Sequence, residues 1–114
     1  MELSHLYANA DKELWKAQEM YSQNILHYVD ARQHWIECTY AYEKAFAEEI
    51  EKLQAGDMRV TIVKEIAKRN CLAEYKEVLM AETMKKKFSY FIKAGESKIN
   101  TIKKLLSLKT GMAV

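Results

Sequence analysis

The chain of 114 residues contains no proline, three glycines and two cysteines. Proline and glycine interrupt helices most strongly, so their scarcity leaves long stretches free to be helical. Two cysteines are too few for a disulfide scaffold, and no apolar run approaches the roughly 18 residues that cross a membrane. Residues 1–10 carry Glu2 and no apolar block, so no secretory leader is expected. These absences predict one all-α domain in a reducing, cytoplasmic setting, with no membrane partner.

Motifs for catalysis and cofactor binding are also missing. The sequence shows no glycine-rich phosphate loop, no Ser/His/Asp set and no Cys/His pair, so it predicts no enzyme, catalytic residue, cofactor or small-molecule substrate. Residues His27, Asp30, His34 and Glu37 share a helix face and could ligate a metal ion. They lack the Glu-x-x-His pairs, repeated across helices, of a di-iron bundle. We interpret them as an exposed polar strip and predict no metal site.

What the sequence does contain is a strong division of charge between its two halves. Residues 1–56 carry five Lys/Arg and ten Asp/Glu, for a net charge of −5. Residues 57–114 carry thirteen Lys/Arg and six Asp/Glu, for a net charge of +7. Such a division can pair the halves with each other, join copies of the chain or attract an anionic partner.

A seven-residue repeat of bulky side chains marks the first half of the chain. The repeat consists of Tyr7, Leu14, Tyr21, Tyr28, Trp35 and Tyr42. A neighbouring column is mostly small, with alanines such as Ala10, Ala17 and Ala31. Together they resemble the a and d positions of a coiled coil. One partner helix from the same chain would cover only part of a helix about 75 Å long. The repeat therefore predicts a homo-oligomer with the bulky column as its oligomer seam.

The remaining boundaries follow from the few turn signals. Gly56 suits the left-handed position that ends a helix, and Thr61 suits an N-cap. The predicted architecture is a long helical hairpin with coiled-coil-like packing, in a single domain over residues 1–114. Its parts are a helix over about 3–54, a turn over 55–61, a short helix over about 62–70, a helix over about 72–108 and a frayed tail over 109–114.

A basic face distinguishes the last predicted helix. Residues 83–109 hold eight lysines and one acid, Glu96. Lysines at this density match phosphate backbones without reading sequence, and an aromatic side chain among them can stack on an unpaired base. A row at helical spacing contains Lys86, Tyr90, Lys93, Ser97, Asn100 and Lys104. The predicted nucleic-acid-binding residues are Lys85, Lys86, Lys87, Tyr90, Lys93, Lys98, Lys103 and Lys104.

Other roles for this face remain open. The lysines could simply be solvated, or they could pair with acids of the first helix, namely Glu43, Glu48, Glu49 and Glu51. An anionic membrane surface is disfavoured, because the apolar side of the same helix is needed for helix packing.

The order of parts between Ile25 and Leu106 resembles small phage recombination mediator proteins of the UvsY type. The resembling parts are the aromatic helix with Tyr28, Trp35 and Tyr42, the turn Gln54–Asp57, the connector Thr61–Asn70, and the terminal helix from Leu72 through Lys85–Phe88 to Leu106. The resemblance implies an oligomer that binds single-stranded DNA and helps to load a recombinase against a single-strand-binding protein. It implies DNA contacts at Lys85, Lys86, Lys87, Lys93 and Lys104, and a host-cell cytoplasmic location if the chain is phage-encoded. Residues 1–24 have no counterpart.

Two function hypotheses follow. The first is an oligomeric, non-enzymatic accessory protein that binds single-stranded DNA in recombination or replication. The second is a structural or adaptor protein whose acidic and basic arms drive assembly without nucleic acid. A secreted hairpin dimer of the WXG type is disfavoured, because the turn carries Gly56 without a tryptophan.

Overall fold

The computed structural model describes the backbone of residues 9–112 and the side chains of residues 9–108. It contains three helices: α1 (Ala10–Gln54), α2 (Val60–Asn70) and α3 (Leu72–Met112). The described residues contain no strand, and the all-α prediction is confirmed. Helix α3 continues to Met112, beyond the expected end near residue 108, since no proline or helix-ending turn intervenes.

The turn after α1 differs from the prediction at its central residue. Gly56 does not adopt a positive φ angle, whereas Asp57 does, with φ of 65°. The amide of Gly56 donates to the Leu53 carbonyl at 3.2 Å, so the chain is still in a tight helical turn at that point. The left-handed conformation comes one residue later, where a short aspartate side chain tolerates it better than most non-glycine residues.

Helix α2 begins earlier than Thr61 predicts. Its N-cap is Arg59, whose backbone is extended and whose side chain makes no capping hydrogen bond. The Arg59 carbonyl accepts hydrogen bonds from the amides of Ile62 and Val63 at 3.1 and 3.0 Å. Thr61 therefore lies inside the helix, and the prediction of Thr61 as the N-cap is wrong. The helix begins with backbone hydrogen bonds to the Arg59 carbonyl and has no side-chain cap.

The chain forms two compact units. Of the described residues, unit 1 comprises 9–28 with 87–112, and unit 2 comprises 29–86. Each unit contains a segment of α1 and a segment of α3, and unit 2 also contains α2.

The core of unit 1 is formed by Ala17, Ile99 and Ile102, with Leu14, Tyr21 and Leu106 packed against them. Gly95 lies close to α1, since a Cβ atom there would be 3.3 Å from Tyr21 Cδ2. His27 stacks on Phe88, with ring centroids 5.2 Å apart. The pairs Tyr21–Gly95 and His27–Phe88 show that the α1 and α3 segments of this unit run antiparallel.

The core of unit 2 is closed by α2. Val63, Ala67 and Cys71 are spaced four residues apart and are almost fully inaccessible to solvent. Only Cys71 separates α2 from α3: its amide donates to the Ala67 carbonyl, and its carbonyl accepts from the amide of Tyr75, both at 3.0 Å. Asn70 Nδ2 donates to Glu49 Oε2 at 3.0 Å, which ties α2 to α1.

The bulky column predicted as an oligomer seam makes contacts within the chain. Leu14 and Tyr21 pack in the core of unit 1. In unit 2, Tyr42 lies 5.5 Å from Tyr75 between ring centroids, and Trp35 lies beneath Lys85. Tyr28 is half-buried, and Tyr7 lies outside the described residues. Alternating bulky and small residues thus place this side of α1 against α3.

Candidate nucleic-acid interface

The predicted nucleic-acid-binding residues all lie on α3, and they fall into both units. Lys85 and Lys86 belong to unit 2, whereas Lys87, Tyr90, Lys93, Lys98, Lys103 and Lys104 belong to unit 1. The surroundings of these two groups of residues differ.

In unit 2, the ammonium groups of both lysines are engaged. Lys85 is half-buried, and its Nζ lies 3.7 Å from the centroid of the Trp35 ring, which is a close cation–π contact. Lys86 Nζ lies 3.2 Å from Glu82 Oε1, one turn earlier in the same helix. Neither lysine pairs with the acids of α1 that the alternative hypothesis offered. Lys85 is thus directed at α1, and Lys86 remains exposed beside an acid.

In unit 1, the row on α3 is open to solvent along its length. Tyr90, Lys93, Ser97, Asn100 and Lys104 are all exposed, and Tyr90 retains 69% of its accessible surface. Ile99 and Ile102 occupy the opposite side of the helix and are buried. No ion pair forms among the side chains that the structure describes in this unit. The row is therefore a solvated cationic surface with one exposed aromatic ring.

A second edge of α3 in unit 1 combines lysines with aromatic rings. Lys87 Nζ lies 5.7 Å from the ring centroids of both Phe88 and Phe91. Phe91 also contacts Phe88 and Tyr90, with centroids 6.1 and 6.4 Å apart. Lys98 borders a groove of about 550 Å³ on the same edge. Lys103 lines a smaller and more polar groove with Asn100 and Gln18.

Sequence reasoning did not single out several residues of the larger groove. Lys16, Met20 and Ala94 line it together with Phe91 and Gly95. The signal that could have found them is Gly95, a residue without a side chain on an otherwise apolar helix face. Which α1 residues lie across from it depends on how α1 pairs with α3, which spacing within one helix does not give.

The histidines and cysteines that could bind a metal ion or act as nucleophiles make few contacts with one another. His27 stacks on Phe88, and His34 Nε2 lies 3.6 Å from Cys38 Sγ. The described residues contain no cluster of three or more metal-ligating side chains. Burial, followed by the nearby carboxylates of Glu74 and Glu49, raises the pKa of the Cys71 thiol above its ordinary value of 9.0. A thiol with a raised pKa is protonated near neutral pH, so Cys71 has the character of a packing residue.

No family model, curated protein or solved structure matches this chain. Within the described part of the chain, no helix combines the length and apolar character that a membrane crossing requires. The lysines and aromatic rings distributed over α3 are therefore the main structural indication of function.

Proposed function

We propose that this protein is a non-enzymatic accessory protein that binds single-stranded DNA through the exposed surface of α3 and supports recombination or replication of the phage type. The observation that carries the proposal is the open row in unit 1, where Tyr90, Lys93, Ser97, Asn100 and Lys104 are all exposed. A recombinase and a single-strand-binding protein are the partners that the resemblance implies.

The chemistry of the row suits a single strand. Lys93 and Lys104 supply ammonium groups for phosphates, while Ser97 and Asn100 supply hydrogen-bonding groups of the kind that contact nucleic-acid backbones. Tyr90 offers an exposed ring on which a base can stack, and base stacking tolerates any sequence because every base has a π-face. We therefore expect binding with little sequence preference and a steep dependence on salt.

Self-association is the second part of the proposal. The predicted seam contacts α3, so a second copy of the chain would need other apolar surface on α1. Unit 1 exposes Trp15 and Leu26, and unit 2 exposes Val29, Ile36 and Tyr40. In each unit these side chains share one side of α1, because their spacings are close to whole numbers of helical turns. A homo-oligomer of coiled-coil-like hairpins would bring several weak DNA contacts together and raise the avidity.

The test is fluorescence anisotropy with a labelled single-stranded oligonucleotide at low and moderate salt. The variant Lys86→Glu/Lys93→Glu/Lys104→Glu should lose binding while keeping its helicity by circular dichroism. The matched control reverses three exposed lysines of α1, in Lys12→Glu/Lys44→Glu/Lys52→Glu, and therefore has the same net charge. Equal affinity of the α3 variant and the wild type would refute the proposal.

The exposed apolar side chains of α1 also support a second candidate function. A structural or adaptor protein that assembles through its α1 surface and its charge division would not need nucleic acid. Light scattering on Leu26→Glu and Ile36→Glu, with Gln18→Glu as an exposed polar control, tests the role of α1 in assembly. Assembly that these two changes reduce, in a protein without measurable DNA affinity, would favour this second function.

A further inference from the structure

The larger groove of unit 1 combines an apolar lining with a cationic rim. It lies between α1 and α3, with a volume of about 550 Å³. Tyr21, Phe91 and Ala94 contribute to its lining, and Lys16 and Lys98 stand at its border. One acid, Glu13, also borders it, so two lysines and one glutamate give the border a net positive charge. This combination fits a ligand with a flat apolar part and a negatively charged part.

Small residues shape the groove. Gly95 allows α1 to approach α3 closely, since a Cβ atom there would be 3.3 Å from Tyr21 Cδ2. Ala94 is exposed beside it, and Phe91 is partly exposed on the preceding turn. An accessible aromatic ring next to unfilled space can receive a second planar ring by stacking.

We propose that this groove binds an unpaired nucleobase of single-stranded DNA, stacked against Phe91, with Lys16 and Lys98 at the adjoining phosphates. The inference rests on the proposed function and adds a base-binding site to it. A nucleotide satisfies both features of the groove, because its base is planar and largely apolar on its faces while its phosphate is anionic. The charge of the rim matches the phosphate rather than the base.

The position of the groove is consistent with one strand crossing α3. Lys98 lies about 140° around the helix from Lys93, at 100° per residue, and both are exposed. Lys93 lies near the middle of the solvent-facing surface of α3 in unit 1, and Lys98 lies nearer the edge beside the groove. A strand whose phosphates lie along Lys93 and Lys104 can turn one base over the helix towards Phe91.

The experiment compares two labelled strands of equal length, one with normal thymidine residues and one with abasic sites at every position. Both strands carry the same phosphates, so the ratio of their affinities isolates the contribution of the bases. We expect wild-type protein to bind the abasic strand about 5- to 150-fold more weakly. The variant Ala94→Leu fills the groove with an exposed side chain and should reduce this ratio, leaving the part that stacking on Tyr90 contributes.

The control is Ala73→Leu, the same change at an exposed position of α3 outside the groove, and it should keep the wild-type ratio. Equal affinity of wild-type protein for both strands would overturn the base site and leave phosphate binding intact. A ratio in Ala94→Leu equal to that of the wild type would also overturn it, because the base preference would then come entirely from other surfaces such as Tyr90. Failure to bind either strand would refute the proposed function and the base site with it.

Discussion

Lys85 and Lys93 lie on the same helix, but replacing them by glutamine should affect different properties. Lys85→Gln should lower stability with little effect on DNA binding, whereas Lys93→Gln should weaken DNA binding with little effect on stability. Lys85 is half-buried, with its ammonium group 3.7 Å from the Trp35 ring centroid. Lys93 is exposed in the open row of unit 1. Glutamine removes the charge in both cases and keeps a side chain with good helix propensity.

The magnitudes follow from these surroundings. A cation–π contact contributes about 0.5–2 kcal/mol, so Lys85→Gln should lower the free energy of unfolding by that amount. An exposed change such as Lys93→Gln should alter it by less than about 0.5 kcal/mol. For DNA the order reverses, since each phosphate contact to a single strand contributes about 0.7 to the slope of log affinity against log salt. Affinity falls as the salt concentration rises from roughly 50 to 200 mM, and without the Lys93 contact this fall should be smaller by a factor of about 2.6.

Two assays separate these effects. Urea unfolding followed by circular dichroism gives the free energy of unfolding, and anisotropy titrations at several salt concentrations give the slope. A slope that falls equally in Lys85→Gln and Lys93→Gln would show that Lys85 also contacts phosphate. That result would contradict the expectation that its contact with Trp35 keeps it away from DNA. An unchanged slope in Lys93→Gln would show that the open row does not carry the phosphate contacts.

Two further predictions concern the core of unit 2. Val63→Ala should lower the free energy of unfolding by roughly 2 kcal/mol, because Val63 is fully buried, whereas Val60→Ala in the same helix should change it by less than about 0.5 kcal/mol in urea unfolding. The raised pKa of Cys71 means that the unfolded chain loses the thiol proton first, near 9.0, so stability should fall as the pH rises through and beyond that value. Denaturation midpoints at about pH 8 and about pH 10 should differ less in Cys71→Ala than in the wild type; an equal difference would contradict this assignment.

Local signals allowed the helices to be predicted from the sequence. A chain with no proline and three glycines offers few places to end a helix, and the all-α class follows from that. The details of the turn did not follow, because they depend on backbone hydrogen bonds. Arg59, with no capping side chain, starts α2, and Asp57 takes the positive φ angle in place of Gly56.

The candidate site was predictable in composition but not in arrangement. The spacing of Lys93, Ser97, Asn100 and Lys104 on one side of a helix predicts a shared surface, and these residues are all exposed. Lys85 has the same residue type and lies nearby in the sequence, yet its ammonium group contacts Trp35. Which lysines remain free depends on the residues across from them on α1, and these are set by how the helices pair.

Sequence by itself determined the helical class, the charge division and the periodic side chains, because all three depend on residue type and on spacing within one helix. Tertiary structure decided which face of α1 contacts α3. As a result, Leu14, Tyr21, Trp35 and Tyr42 make contacts within the chain. It also created the groove beside Gly95, which needs residues of both helices. A heptad repeat specifies an apolar stripe but not its partner, since a helix of the same chain and a helix of a second copy bury that stripe equally well.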